Sequence, residues 1–206
     1  SGVTTTGASI LGNSETIPHL TNGIESLSMG LLFWRSFIQW IGGMGIIVFS
    51  IAILPLLGVG GVQLFRAEVP GPVPDKIKPR VQETAKVLWI IYLGITAVQV
   101  LLLFLGGMNF FDSLCHSFTT VAIGGFSTKN VSIAHYNSAY IEYVIILFMF
   151  ISGINFTLHW RAITSPKPLV YFRDGEFKFY GMLIAFITLI LIVNLSLQSG
   201  ELTHHI

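Results

Sequence analysis

Residues 87–108 carry no charged side chain, and residues 179–197 are diluted only by Asn194 and two small hydroxyls. A helix needs ~20 such residues to cross ~30 Å of hydrocarbon, so each run predicts a membrane-spanning helix. Residues 31–57 and 143–158 are similarly apolar, and Tyr140, Tyr143 and Trp160 frame the latter with the amphipathic aromatics that settle at membrane interfaces. Charged residues make up 10% of the chain, against ~25% in soluble domains. The predicted fold class is therefore an all-α integral membrane protein. A fifth run, residues 110–123, is too short and too polar to span. It predicts a re-entrant helix that enters the membrane and turns back.

Charge placement orients these segments. Residues 58–86 hold Arg66, Lys76, Lys78, Arg80 and Lys86, with Pro70, Pro72, Pro74 and Pro79 opposing a continuous helix; residues 161–178 hold Arg161, Lys167, Arg173 and Lys178. Those two segments contain nine of the 11 basic residues. The positive-inside bias puts both in the cytoplasm, which works only if residues 110–123 re-enter rather than cross. Two uncharged loops, Thr5-Thr6-Gly7-Ala8-Ser9 and Ile123-Gly124-Gly125-Phe126-Ser127, then face outward. Aligning Gly7 with Gly125 also brings two helix strings into correspondence, Ile41-Gly42-Gly43-Met44 and Ile151-Ser152-Gly153-Ile154. A repeated unit of helix, re-entrant loop and helix is the economical reading.

Non-helical backbone at membrane depth is tolerated where it lies within protein or lines a water-filled path. Glycine allows backbone angles that point successive carbonyls the same way. Aligned carbonyls and threonine hydroxyls suit a monovalent cation, whereas a divalent ion calls for carboxylates that these loops lack. The short helix before the second loop would present its partially negative C-terminal end to the ion, with Asp112 and Ser113 as capping residues. Gly42, Gly43 and Gly153 are read as helix positions that seat a loop closely. Arg35 and Gln39 share a helix face; snorkelling to the interface is the expectation for Arg35, with bracing of the loop as the alternative. Cys115 reads as a small buried apolar residue.

The strings SGVTTTGA (residues 1–8), QWIGGMGII (39–47), AILPLLGVGGVQLFRAEVPGPVP (52–74) and HSFTTVAIGGFST (116–128) resemble the TrkH/TrkG/KtrB superfamily of potassium transporters. That resemblance implies one pore per polypeptide, built from four non-identical helix, pore-loop, helix repeats. It implies filter positions at Thr5, Thr6, Gly7, Ala8, Ile123, Gly124, Gly125 and Phe126, with potassium held by the carbonyls of Thr5, Thr6, Ile123 and Gly124. The expected organisation is then the end of a first pore loop and its following helix (1–57), a basic cytoplasmic loop (58–86), a complete second repeat (87–160), a second basic loop (161–178) and the first helix of a third repeat (179–206). Such a chain is a fragment of a transporter whose third and fourth filter loops lie elsewhere.

The implied function is potassium uptake through a multi-pass protein of the bacterial inner membrane, without catalysis or a covalent cofactor. The implied partners are the potassium ion, lipid, a TrkA-like cytosolic nucleotide-binding regulatory subunit and a second copy of the full-length protein, and not nucleic acid. A subunit of a tetrameric potassium channel is the alternative within transport, opposed by two different loops in one chain. An intramembrane hydrolase using Ser127 or Ser152 with His116 or His159 is the alternative outside it. No serine, histidine and acid set falls at one predicted depth, which opposes that reading.

Overall fold

The computed structural model describes residues 1–9, 23–53, 77–164 and 170–202, and every regular element among them is helical. Most of the predicted basic loop 58–86, together with Lys167, His19, His204 and His205, lies outside the described residues. The chain divides into two units, Ser1–Gly153 and Ile154–Ile206. The first contains the 3-10 turn Gly23–Ser26, α1 (Met29–Ile53), α2 (Ile77–Leu105), α3 (Phe110–Val121), the 3-10 turn Ser132–Tyr136 and α4 (Ala139–Ser152).

Helix α2 begins at Ile77, inside the segment expected to be a loop up to residue 86. Pro79 falls in its first turn, where the missing N–H would have had no helical partner, so the proline starts the helix instead of blocking it. Residues Ala85–Leu105 of α2 are long and apolar enough to cross a membrane.

The end of α2 reverses the chain in very few residues. Gly107 adopts φ +93, its N–H bonds the Phe104 carbonyl at 3.1 Å, and the Met108 N–H bonds the Leu103 carbonyl at 3.2 Å. This pairing is a Schellman motif, and Met108 and Leu103 join one apolar cluster beneath it. Asn109 follows at once as the N-cap of α3, accepting the Asp112 N–H at 2.8 Å. The helix starts at Phe110 as expected, but its N-cap is Asn109, and Asp112 and Ser113, the expected capping residues, lie inside its first turn.

Helix α3 is the most polar of the long elements in this unit and the most enclosed. Asp112, Ser113, His116, Ser117, Thr119 and Thr120 are all buried, with α1, α2 and α4 packed around them. The apolar helices turn their outward faces to the surroundings: Ile90, Val98, Leu101 and Phe104 of α2 are each at least half exposed. Polar inside and apolar outside suits a lipid solvent. Trp40 locks α1 to its neighbours. Its ring lies 5.1 Å from Phe118 and 5.3 Å from Tyr92, its Nε1 donates to Thr96 Oγ1 at 3.1 Å, and Tyr92 donates to its carbonyl at 2.9 Å. Leu103, Met108, Ile141, Val144, Ile145 and Phe148 form the core between α2 and α4.

The segment 143–158, expected as one spanning helix, is interrupted: α4 stops at Ser152, Gly153 caps it, and a new helix starts at Phe156. Only taken together do the two pieces have the length and hydropathy of a span. In the second unit, α5 (Phe156–Thr164), α6 (Val170–Arg173) and α7 (Gly175–Leu202) follow in order. The segment expected as a loop over 161–178 is therefore helical at both ends. Asp174 accepts the Phe177 N–H at 3.0 Å and caps α7. Residues Gly175–Ser196 form a 22-residue apolar window, none of it buried within the described structure.

Candidate functional site

The two uncharged loops share a backbone signature. Thr5 and Gly7 in the first have φ of +53 and +72; Ile123 and Gly125 in the second have φ of +55 and +80. Left-handed angles therefore fall at alternate residues, in the register that aligns Gly7 with Gly125. A β-branched isoleucine or threonine at positive φ is costly and persists only where its surroundings impose it. Both loops carry one such residue two positions before the glycine.

Local hydrogen bonds explain part of this. In the first loop the Thr5 N–H bonds Gly2 at 3.0 Å, the Thr6 N–H bonds Ser1 at 3.1 Å, and Thr4 Oγ1 and Thr6 Oγ1 lie 2.8 Å apart; Ser1 Oγ also donates to the Ala8 carbonyl. In the second, the last turn of α3 extends into the loop: Ile123 N–H donates to Thr120 at 2.9 Å, and the N–H groups of Gly124 and Gly125 both donate to Thr119, at 2.8 and 3.3 Å. The carbonyls that a helix leaves without partners are thus used to fold the loop back over its own end.

The loops touch. A Cβ on Gly7 would collide with the Gly124 carbonyl oxygen, so the first loop runs against the second at their glycines. Helix α1 supports both. A Cβ on Gly42 would strike the Val3 carbonyl, and one on Gly43 would lie 2.9 Å from Ala122 Cα and from Tyr92 Oη. Gly153 has ordinary helical angles, φ −77 and ψ −10, as the C-cap of α4. Gln39, fully buried, accepts the Phe126 N–H on Oε1 at 3.2 Å. One turn earlier Arg35 lies 4.4 Å from the centre of the Phe126 ring and donates to Ser9 Oγ at 3.2 Å. The structure therefore turns Arg35 onto the loops rather than outward to the interface.

A buried carboxylate closes the far end of the second loop. Asp112, 3% exposed, accepts from Thr128 Oγ1 at 2.6 Å and from Asn109 Nδ2 at 2.7 Å, with Lys129 Nζ at 3.7 Å. Burial pushes its pKa up, but the Thr128 and Asn109 hydrogen bonds and the Lys129 charge together hold it below the ordinary carboxylate value. Beyond it, Asn130 accepts the Ile24 N–H at 2.7 Å and donates its own N–H to Glu25 at 3.1 Å.

The role of Asp112 escaped the sequence reading because a carboxylate in a first helical turn normally serves the helix end. Only a spatial neighbour sixteen residues on, Thr128, reveals the strap. Gln39 had one legible signal, a lone amide among the apolar residues of a long helical run.

A cleft of about 360 Å³ borders the second loop, lined by His116, Thr119, Thr120, Ile123, Gly125 and Met149 among others. Of the four residues of the hydrolase alternative, Ser127 and His159 are engaged by hydrogen bonds, while Ser152 Oγ and His116 Nε2 are buried without a hydrogen-bond partner among the described residues. Ser127 Oγ accepts the Lys129 N–H at 2.9 Å, His116 meets Tyr136 edge-on at 5.8 Å, and His159 Nδ1 lies 2.9 Å from the Tyr171 hydroxyl. Among the described residues no group of three His, Cys, Asp or Glu could hold a metal ion.

Residues 5–201 match the family model described as "TrkH: Cation transport protein". The chain is 48% identical over 181 residues to the Trk system potassium uptake protein TrkH of Escherichia coli K12, covering 87% of this chain and 35% of that protein. It is 46% identical over 200 residues to TrkH of Halomonas elongata, covering 97% of this chain and 39% of that protein. The crystal structure of the potassium transporter TrkH from Vibrio parahaemolyticus superposes with a TM-score of 0.74 at 39% identity, over 92% of this chain and 36% of that one. The chain thus spans little more than a third of the length of the relatives it matches. With its apolar spans, its enclosed polar helix and its two matched loops, it belongs to the TrkH family of cation transport proteins.

Proposed function

We propose that this chain supplies two adjoining walls of a monovalent-cation path, potassium by preference, in a transporter that takes the ion up across the bacterial inner membrane. The observation that carries the reading is the shared φ alternation at Thr5/Gly7 and Ile123/Gly125 in two uncharged loops that meet at Gly7 and Gly124. Such backbone presents carbonyls in place of water, and the threonine hydroxyls add oxygen without charge. The carbonyls of Thr5, Thr6, Ile123 and Gly124 are the proposed ligands, flanked by Ala8 and Phe126. The C-terminal end of α3 adds a partial negative charge beside them.

With the basic segments inside, an interior-negative potential drives entry, worth about 2.3 kcal/mol per charge per 100 mV. Transport of this kind needs no covalent cofactor. The apolar and basic mixture of residues 59–86 suits the inner membrane surface or a partner, and the family resemblance implies that this partner is a cytosolic regulatory subunit of the TrkA type and that the full-length protein pairs with a second copy. The names of the relatives, potassium uptake proteins, support the choice of ion.

Rubidium uptake with potassium and sodium as competitors, measured in vesicles carrying the full-length protein, tests the reading. Gly125→Ser is the informative variant, since a Cβ at Gly125 meets no neighbouring atom among the described residues and the change opposes the positive φ without a steric clash. The expected result is retained flux with potassium-over-sodium preference reduced by tenfold or more. Unchanged preference at equal membrane abundance would remove the second loop from the path.

A further inference from the structure

Gly124 has no positive φ, so backbone conformation does not explain its glycine. The explanation is Gln39: a Cβ at Gly124 would fall on the Gln39 side chain at Cδ, Nε2 and Cγ. That amide, on the helix that follows the first loop, is pressed flat against the backbone of the second. Its Oε1 accepts the Phe126 N–H at 3.2 Å, and its Nε2 lies 3.9 Å from where a Cβ of Gly7 would stand. Gln39 is fully buried, and Nε2 meets no acceptor among the described protein groups. Burying an amide with a donor unmatched is unfavourable. An apolar side chain of similar length would avoid that cost, as Met149 does at the matching position of α4.

We infer that Gln39 is a positioning residue for ion selectivity: its amide oxygen, by holding the Phe126 N–H, fixes the second loop against the first. The inference rests on the filter reading proposed above. The amide contacts the backbone on both sides of Gly125, at Gly124 and Phe126, so it constrains the residue whose left-handed angle defines the loop. A loop released from this hold can adjust its carbonyls to a smaller cation, which weakens discrimination without closing the path. A tenfold loss of selectivity corresponds to about 1.4 kcal/mol, and a hydrogen bond removed from a buried site is of that order.

The test uses the full-length protein in membrane vesicles, reading the ratio of the sodium inhibition constant to the rubidium KM beside the maximal uptake rate. Gln39→Met keeps the length and removes the acceptor; Gln39→Glu keeps an acceptor oxygen. Gln39→Met is expected to lower the ratio about tenfold with maximal rate within threefold of wild type, while Gln39→Glu holds the ratio within threefold. A wild-type ratio in Gln39→Met, or equal loss in both variants, overturns the inference. Should Gln39→Met fail to reach the membrane, Gln39→Leu removes the same acceptor without altering the backbone of either loop. A ratio lowered as predicted supports the hold, and an unchanged one overturns it. Gly125→Ser separates the two levels. If it shifts the ratio and Gln39→Met does not, the positioning role fails alone; if neither shifts it, the filter reading fails with it.

Discussion

The two loops follow the same alternation of backbone angles and are held by different means. The first is tied largely to itself, through Ser1, Gly2, Thr4 and Thr6, and leans on α1 where Gly42 leaves room for the Val3 carbonyl. The second is fixed from three directions: its own helix end at Thr119, Gln39 and Arg35 of α1 at Phe126, and Asp112 at Thr128. The helices after the loops differ in the same way. The positions of Arg35 and Gln39 in α1 correspond to Ile145 and Met149 in α4, and Met149 is 49% exposed where Gln39 is buried. Equivalent backbone shape therefore does not require equivalent anchorage. If the two loops are walls of one ion path, as proposed above, each wall can be tuned through its own neighbours.

The largest effect that separates the loops belongs to their glycines. Gly7→Ala meets both a positive φ and the Gly124 carbonyl, whereas Gly125→Ala meets only the positive φ, a cost of about 1 kcal/mol. Gly7→Ala should lower the thermal midpoint of the detergent-solubilised protein well beyond Gly125→Ala, by about 3 kcal/mol or more in stability. Equal losses would mean that the contact between the loops is not a constraint.

Asp112→Asn should come next, at about 1 to 3 kcal/mol, because the Lys129 pairing is lost and a hydrogen bond to a charged acceptor becomes one to a neutral amide. The sign with pH follows from the lowered pKa. The stabilisation is fully present above the ordinary carboxylate value and disappears as pH falls through the folded value. Melting curves from pH 7 to pH 3 should show a steeper acid loss in wild type than in Asp112→Asn. Parallel curves would show that the strap carries no charge-dependent stability.

A third contrast, comparable in size to the second, tests the support of the first loop. Gly42→Ala should destabilise by about 1 to 3 kcal/mol through the Val3 carbonyl. Gly45→Ala, with no atom within 4 Å of its Cβ among the described residues, should be neutral or stabilise by about 0.5 to 1 kcal/mol. Thermal midpoints of the two variants check the contrast, and equal values would free α1 from seating the first loop.

Much of the architecture was legible because lipid leaves few choices. Long apolar runs must be helical, and a short polar run between them must be enclosed, as α3 is. Boundaries were less legible where one residue has two uses. Pro79 blocks a helix interior and begins a helix in its first turn, and only the position of Ile77 decides between them. The interruption at Gly153 hides in an apolar run whose hydropathy continues smoothly past it. Asp112 and Arg35 were misjudged for a related reason: sequence neighbours supply a sufficient local role, a cap or an interfacial charge, while the actual partners Thr128 and Phe126 are distant along the chain.

By itself the sequence determined what depends on solvent and on covalent periodicity: helices in lipid, a polar helix in their midst, two glycine loops in one register, and membership of a cation transport family. Tertiary structure alone decided how the loops are held together, namely Gly7 against Gly124, Gln39 under Phe126 and Asp112 across to Thr128. Hydropathy is a property that each segment carries alone, whereas a hydrogen bond or a steric contact exists only when two distant residues are brought within a few ångströms.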